Sequence, residues 1–551
     1  MLRLTELKLP LDHTESALRE AALTRLAIPP EDLLTLTIAR RGYDARRRSN
    51  ISLVYAVDVT VRDETPILAA NPTIRPTPDT TYRLPIHVEA PPKRPIVIGT
   101  GPCGLLAALT LAQMGFRPLI LERGKLVRER TKDTWGLWRR GILNPESNVQ
   151  FGEGGAGTFS DGKLYSGIKD PRHLSRRLLT EFVQAGAPEE ILFVSKPHIG
   201  TFRLVTVVEN IRAKIEALGG EYRFSARVDD ILLDRNRQIQ GVTLSNGDQI
   251  EADHVILAIG HSARDTFAML HRHNVHIQAK PFSIGVRIEH PQALIDKARF
   301  GAFAGHPLLG SADYKLVHHA ANGRSVYSFC MCPGGRVVAA TSEIGCVATN
   351  GMSQYSRAEF NANAGIVVGI TPETDYPGNP AGDPLAGIEF QQKWERQAYQ
   401  IAGSTYAAPA QLVGDLLAGK ASTELGTVTP SYKPGVVPTD LGACLPDFAI
   451  QAIREALGKF ARDIPGFAMH DAVLTGVETR TSSPIRIARD ANGHSLNTKG
   501  LFPAGEGAGY AGGIMSAGVD GIRVAEAVAS SLTRTPMMER MTRGEGVGVY
   551  G

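Results

Sequence analysis

The sequence predicts an α/β protein in three pieces: a small N-terminal α+β module, a domain built on a parallel sheet, and a second α+β domain. Three observations predict it. A short apolar run passes through a glycine-rich turn into a helical pattern between Pro95 and Met114. A proline-rich stretch from Pro66 to Pro95 sets this unit apart from a differently textured N-terminus. Further apolar runs near residues 255 and 501 end in glycine, and the second leads into a helical C-terminal pattern.

The 551 residues are 43% hydrophobic and 21% charged, which excludes disorder as the main state and provides for sizeable cores. Lys and Arg outnumber Asp and Glu 60 to 56, and an excess of +4 is too thin to make nucleic acid or a membrane the expected partner. Five cysteines, Cys103, Cys330, Cys332, Cys346 and Cys444, are too few for a disulfide framework and fit a reducing compartment, so a cytoplasmic location is expected. Met1 to Ser16 is interrupted by charges and does not read as a signal peptide. No apolar run approaches the roughly 18 residues of a membrane span.

In the N-terminal module (1–90, with its linker), Glu15 to Ile28 has helical apolar spacing, and Leu33 to Ile38 and Ile51 to Val61 read as extended. Arg40, Arg41, Arg46, Arg47 and Arg48 lie between the two extended runs. Such a basic hairpin suits phosphate, or is a solvated loop. Eight prolines from Pro66 to Pro95 leave little room for a continuous helix or a central strand, and a linker is expected there.

Pro95 to Ile98 predicts a strand, Gly99-Thr-Gly101-Pro102-Cys103-Gly104 a tight turn, and Leu105 to Met114 a helix. A second strand, Arg117 to Leu121, ends in Glu122, 23 residues after Gly99. This context turns G-x-G-x-x-G into a dinucleotide-binding fingerprint of Rossmann type. Gly99 permits the turn, Gly101 lets backbone approach a diphosphate, Gly104 lets the helix pack close, and the helix N-terminus faces the anion. Glu122, followed by Arg123, is placed for the adenosine ribose, and its charge disfavours a 2′-phosphate. Gly152-x-Gly154-x-x-Gly157, with Gly155 and Ser160, and Gly507-x-Gly509-x-x-Gly512 lack the strand context and are read as close-approach loops or simple turns.

Val228 to Ile250 alternates like a hairpin with Asn246-Gly247 at its turn. Asp253 to Gly260 reads as a buried strand, Gly500 to Gly505 as another, and Val519 to Ser531 as a terminal helix. This order resembles the two-dinucleotide-binding-domain flavoproteins of the glutathione-reductase superfamily. The strings NVQFGEGGAGTFSDGK (148–163), KPHIGT (196–201), KPFSIGVR (280–287), YSFCMCPGG (327–335), GVETRTSSP (476–484) and GEGAGYAGG (505–513) are similar to a largely uncharacterised bacterial FAD-dependent dehydrogenase family. The resemblance spans nearly the whole chain. It implies a discontinuous Rossmann-type FAD/NAD(P)-binding domain (95–280 and 490–551), an inserted α+β substrate domain (281–485), and FAD as cofactor. It also implies Gly505, Glu506, Gly512, Gly513 and Ile514 near the flavin, with Glu506 where relatives carry an Asp for the ribitol chain.

The implied activity is an FAD-dependent oxidoreductase passing hydride between flavin N5 and a small molecule, with NAD(P)H as one candidate donor. An RNA-associated flavoprotein using the N-terminal arginines, and a non-catalytic redox-sensing flavoprotein, remain alternatives. No catalytic residue is assigned and no metal site is expected. Cys330, Cys332 and Cys346 read as buried thiols or, less readily, as a redox group, since C-x-C disfavours a bond between its own two cysteines. Cys103 reads as a packing residue. His198, His261 and Gly260 are candidate flavin or active-site contacts. Glu478, Arg480 and Arg486 form a polar set on an otherwise apolar segment, and Arg287 or Arg480 suits either a substrate carboxylate or an internal ion pair.

Overall fold

The computed structural model describes residues 1–89, 93–375 and 383–534. At its centre is a five-stranded parallel sheet in the order Leu501–Pro503, Val255–Leu257, Ile96–Ile98, Leu119–Leu121, Glu221–Arg223. Three central strands are buried on both faces, as expected of short apolar runs covered by helices. From Ile96–Ile98 the chain winds outward in one direction through residue 223, then crosses to the other side with Val255–Leu257. Those two neighbouring strands therefore form a switch point, and the crevice beyond their carboxyl ends is where such sheets bind ligands.

The helix Pro102–Gln113 is buried along almost its whole length, and Ile514–Thr533 packs beside it. The C-terminal helix starts at Ile514, several residues before the Val519 expected from its periodicity, because Gly513 adopts φ 110 and sets its first turn. Val228–Leu233, Ile239–Leu244 and Gln249–Glu251 form an antiparallel three-stranded sheet where one hairpin was expected. Asn246-Gly247 makes its second turn.

The chain leaves the parallel-sheet unit through Ile277–Ala279 and returns through Ile485–Ile487, and these two strands pair with each other. Between them lies a mostly antiparallel sheet containing Phe282–Pro291, Ser325–Ala339, Asn361–Ile370 and Val473–Glu478. The Pro/Gly segment 371–388 opens with a short helix Pro372–Asp375 and closes by entering the helix Ala386–Ile401; its middle, 376–382, lies outside the described residues.

The N-terminal module is a four-stranded sheet with the helix Ala17–Leu26. Leu33–Asp44 and Ser52–Val61 are strands, the first running past the expected Ile38 so that Arg40 and Arg41 lie within it, and Leu2–Pro10 is a further strand the sequence pattern hides. A register shift between Leu4 and Leu7 breaks its period of two, so Leu2, Leu4 and Leu7 are all buried without alternating strictly. The hydrophobic core of this module is continuous with that of the inserted domain.

The proline-rich stretch holds no continuous helix or central strand, as expected, but two short regular pieces lie at its start. Pro66 sits in the first turn of the helix Thr65–Ala70, where its missing N–H has no intrahelical partner to lose. Pro76 lies in the edge strand Arg75–Pro76, where proline is tolerated. Further on, the Tyr82 hydroxyl donates to Glu526 at 2.7 Å and the Val88 N–H to Met114 O at 2.9 Å, so this stretch lies along the central unit. Among the described residues no helix is long and apolar enough to cross a membrane.

Candidate functional site

One elongated cavity follows the switch point. Its lining includes Ile98 to Cys103 at the end of one central strand and Ala258 to Ser262 at the end of its neighbour. Gly99 has φ 94, and a Cβ there would lie 2.4 Å from Ala258 O, so only glycine lets the two strand ends stay this close. A Cβ on Gly104 would lie 1.9 Å from Gly99 O, so its role is to seat the helix against the turn. Gly101 differs: its nearest neighbour would be Gly155 Cα at 3.7 Å, and the space it leaves opens to the cavity.

Two helix N-termini meet at this cavity. Gly101 caps Pro102–Gln113 and Gly513 caps Ile514–Thr533, neither with a side-chain cap. The first-turn amides of each helix have no intrahelical acceptor, and both helix dipoles point their positive ends at the lining. That donor set fits the diphosphate and the electron-rich end of a flavin dinucleotide. His261, also in the lining, adds a buried Nε2 with no hydrogen-bond partner among the described residues.

Glu122 joins the loops around this crook. One carboxylate oxygen accepts from the Thr100 N–H (2.9 Å) and hydroxyl (2.6 Å), the other from Gly124 N (2.9 Å) and Gly152 N (3.0 Å). A carboxylate offers about four acceptor positions, so Glu122 is fully engaged by the protein while still lining the cavity. Arg123 is fixed by Glu146 and Asp265 and lies 4.0 Å over the Phe151 ring.

The glycine loop 152–157 is held from behind by Arg130. This fully buried guanidinium donates to Asn148 O, Val149 O and Glu153 O, each at 2.7 Å, and to Gly152 O at 3.3 Å. Burial pulls its pKa down to about 10, which leaves it charged at neutral pH.

At the far end the inserted sheet contributes Phe329, Cys330 and Asn350, facing Asp161 and Lys163. Asp161 pairs with Lys163 at 3.1 Å and with Arg357. Burial opposes its charge, yet these two cations hold its carboxyl well below the usual range. Burial likewise opposes the Lys163 charge, and Asp161 and the Cys330 sulfur outweigh it. Cys330 sits in a strand irregularity with φ 43. Interaction with Cys332 shifts its thiol down against the effect of burial, helped by Lys163 and Arg287.

Of the sixteen residues expected to hold the cofactor, thirteen line the cavity: Gly99, Gly101, Pro102, Cys103, Glu122, Arg123, Gly155, Ser160, Gly260, Glu506, Gly512, Gly513 and Ile514. Gly104, Gly154 and Gly505 lie behind it. Gly154 N donates to Thr100 O at 3.0 Å, and Gly505 N to Asp520 at 2.7 Å. Glu506 approaches His261 Nδ1 at 3.5 Å. Arg287 is an internal ion pair with Glu478 (2.7 Å), fully buried. Arg480 pairs with Glu395 at 2.8 Å and also lines the cavity, whereas His198 lines a different cleft. Asp161 and Lys163 carried no signal beyond their place in a glycine-rich string, because their partners lie far along the chain.

Residues 281–481 match a family model described as FAD-dependent protein, C-terminal domain-like. Residues 93–276 match that of pyridine nucleotide-disulphide oxidoreductases, and residues 1–60 a domain of unknown function. A Clostridium beijerinckii protein, described as an uncharacterized protein, is 45% identical over 533 residues, covering 95% of this chain and 98% of that one. Among solved structures, the halogenase PltM is 13% identical with a TM-score of 0.37, over 80% of this chain and 68% of its own. The E. coli quinol fumarate reductase FrdA is 14% identical with a TM-score of 0.34, over 81% and 71%. Likeness at that distance carries nothing of their chemistry. With FAD as its cofactor, the chain belongs to a bacterial family of FAD-dependent oxidoreductases related to the pyridine nucleotide-disulphide oxidoreductases.

Proposed function

We propose that the protein is a dehydrogenase or reductase acting on a small molecule, with the cavity at the switch point as its FAD site and NAD(P)H as a candidate electron donor. The observation that carries this reading is the meeting of two uncapped helix N-termini and two glycine loops on a single cavity. Bound FAD supplies hydride transfer at its N5. The N–H groups of Gly101, Cys103 and Gly104 at the start of the helix take the diphosphate, and Gly155 keeps the facing loop close enough for it. Glu122 and Arg123 border the adenosine end. Gly512, Gly513 and Ile514 present the C-terminal helix to the opposite end, with Glu506 and Gly260 beside it.

The inserted domain, taken as residues 281–485, walls the far side of the cavity with Phe329, Cys330 and Asn350. There Cys330 Sγ, its thiol shifted down by Cys332 and by the Lys163 and Arg287 cations, is a candidate to exchange a proton with a ligand. Purified protein tests the reading through its visible spectrum and an anaerobic stopped-flow screen with NADH, NADPH and pooled metabolites. Yellow protein whose flavin is bleached by one of them is the expected result. Flavin that nothing reduces would favour a redox-sensing role, and colourless protein that cannot be reconstituted would remove the reading altogether.

A further inference from the structure

A second cleft, about 1030 Å³ in volume, opens where the N-terminal hairpin, the segment 194–198 and the inserted domain meet. Backbone hydrogen bonds build the junction: Arg41 N donates to Phe193 O at 2.7 Å and Ser195 N to Arg41 O at 2.8 Å. Seven cationic side chains line the cleft against three acids, so its net +4 equals that of the entire chain. The rest of the molecule sums to zero.

Some of those cations are neutralised. Arg46 is bound by Asp44, Lys196 by Asp313 at 2.7 Å, and Arg357 by Asp161. Arg40 donates to the Ser195 hydroxyl at 3.2 Å and has no ion pair among the described residues. Arg41, Arg48 and Arg299 form no ion pair among the described residues. His198 adds no further charge, since burial and Arg357 hold it neutral, at about 4. Guanidinium groups that line one concavity without carboxylate partners give it a positive potential, which a bound anion relieves. Tyr43, half-buried in the wall, supplies a hydroxyl that burial keeps protonated, at about 12.

We propose that this cleft binds a small polyanion, a molecule bearing two or more phosphate or carboxylate groups. An isolated monoanion would leave most of the guanidinium groups unmatched. A long nucleic acid is disfavoured because the charge lies in a bounded concavity and not along an extended basic face. Tyr165 borders both this cleft and the flavin cavity, and the Arg357–Asp161–Lys163 ion pairs stand between them. A polyanion held here therefore lies beside the flavin cavity, which extends the proposal to an anionic substrate for that cavity. That last step rests on the flavin reading, whereas the anion binding does not.

The test is calorimetric titration of the full-length protein, as purified, with inorganic pyrophosphate and with citrate at moderate salt. Variants are Arg41→Gln combined with Arg48→Gln, and separately Arg299→Gln, with Arg235→Gln as an exposed charge-loss control remote from the cleft. The expected result is saturable binding of at least one probe, weakened about ten-fold or more by the double variant and less by Arg299→Gln, and unchanged in the control. Preference for pyrophosphate identifies phosphate as the ligand chemistry, and preference for citrate identifies carboxylate. Binding of neither probe, binding indifferent to the cleft variants, or salt-sensitive retention of RNA that neither probe displaces would overturn the proposal. Flavin content measured on the same samples separates this outcome from failure of the flavin reading.

Discussion

The flavin cavity and the basic cleft present opposite kinds of surface to a ligand. Much of the first is backbone, with Gly99, Gly101, Gly155, Gly512 and Gly513 in its lining and two helix ends behind them. Its charged groups are largely matched: Arg123 with Glu146 and Asp265, Arg480 with Glu395, Lys163 with Asp161. The second is walled by long side chains, several of them without a counter-charge. Amides fixed by the fold lose little freedom when a ligand arrives, while each arginine carries about 2 kcal/mol of rotamer entropy to be given up. The difference separates a site built to keep a cofactor from one suited to a ligand that comes and goes.

The comparison breaks most sharply at the glycines. Gly155 has φ 63, and a Cβ there would stand 2.6 Å from Gly101 Cα. Gly155→Val is expected to cost about 3 kcal/mol in strain and clash, or roughly a hundred-fold in cofactor affinity, leaving nearly colourless protein. The absorbance ratio of flavin to protein measures it, and a fully yellow variant would show that these two loops do not grip the diphosphate.

Next is Arg130. Arg130→Met leaves four buried carbonyls short of a donor, with an expected loss of about 3 kcal/mol in folding stability and weaker FAD retention. Denaturant unfolding and FAD titration read the two effects; an unchanged midpoint would mean that the loop needs no such support.

Acid should act through the interior more than through either site. His290 is fully buried, donates from Nε2 to Phe467 O at 2.6 Å, and is held by burial at about 4. The unfolded chain takes up a proton near pH 6.5 while the folded chain resists until about 4, so the stability this group contributes is intact above 6.5 and falls as pH drops through that window. The loss approaches about 3 kcal/mol. Unfolding free energies measured across that range should show the slope in the wild type and a shallower one in His290→Gln.

A smaller effect sharpens the reading of Glu122. Its four hydrogen bonds all come from donors, so Glu122→Gln turns one donor-accepting oxygen into an NH2 group facing N–H groups. FAD affinity should fall about ten-fold, near 1.4 kcal/mol, by loosening of the joined loops. Smallest of all, Arg41→Gln should leave flavin content unchanged, as no described contact ties its side chain to the first cavity.

The crook was legible because its chemistry is local: strand, turn, helix and the next strand occupy residues 95–122, and each glycine is needed by its immediate neighbours. The strand Leu2–Pro10 was missed because a bulge breaks its period, and the short regular pieces after Pro66 because their prolines sit where helix starts and sheet edges tolerate them. Arg130 reads as an ordinary residue of the helix Val127–Arg140; its four acceptors are 18 to 23 positions away, across a turn whose path no spacing rule predicts.

By itself the sequence determined the dinucleotide crook, because its strand, turn, helix and acid meet steric needs within a few dozen residues, and strings along nearly the whole chain carried the family resemblance. Only the tertiary structure decided that Cys330 would face Lys163 from 167 positions away. It alone brought arginines of the N-terminal hairpin into one cleft with Arg299 and Arg357. Side-chain charge acts through space with no regard to chain order, so a site assembled from distant segments leaves no spacing to read.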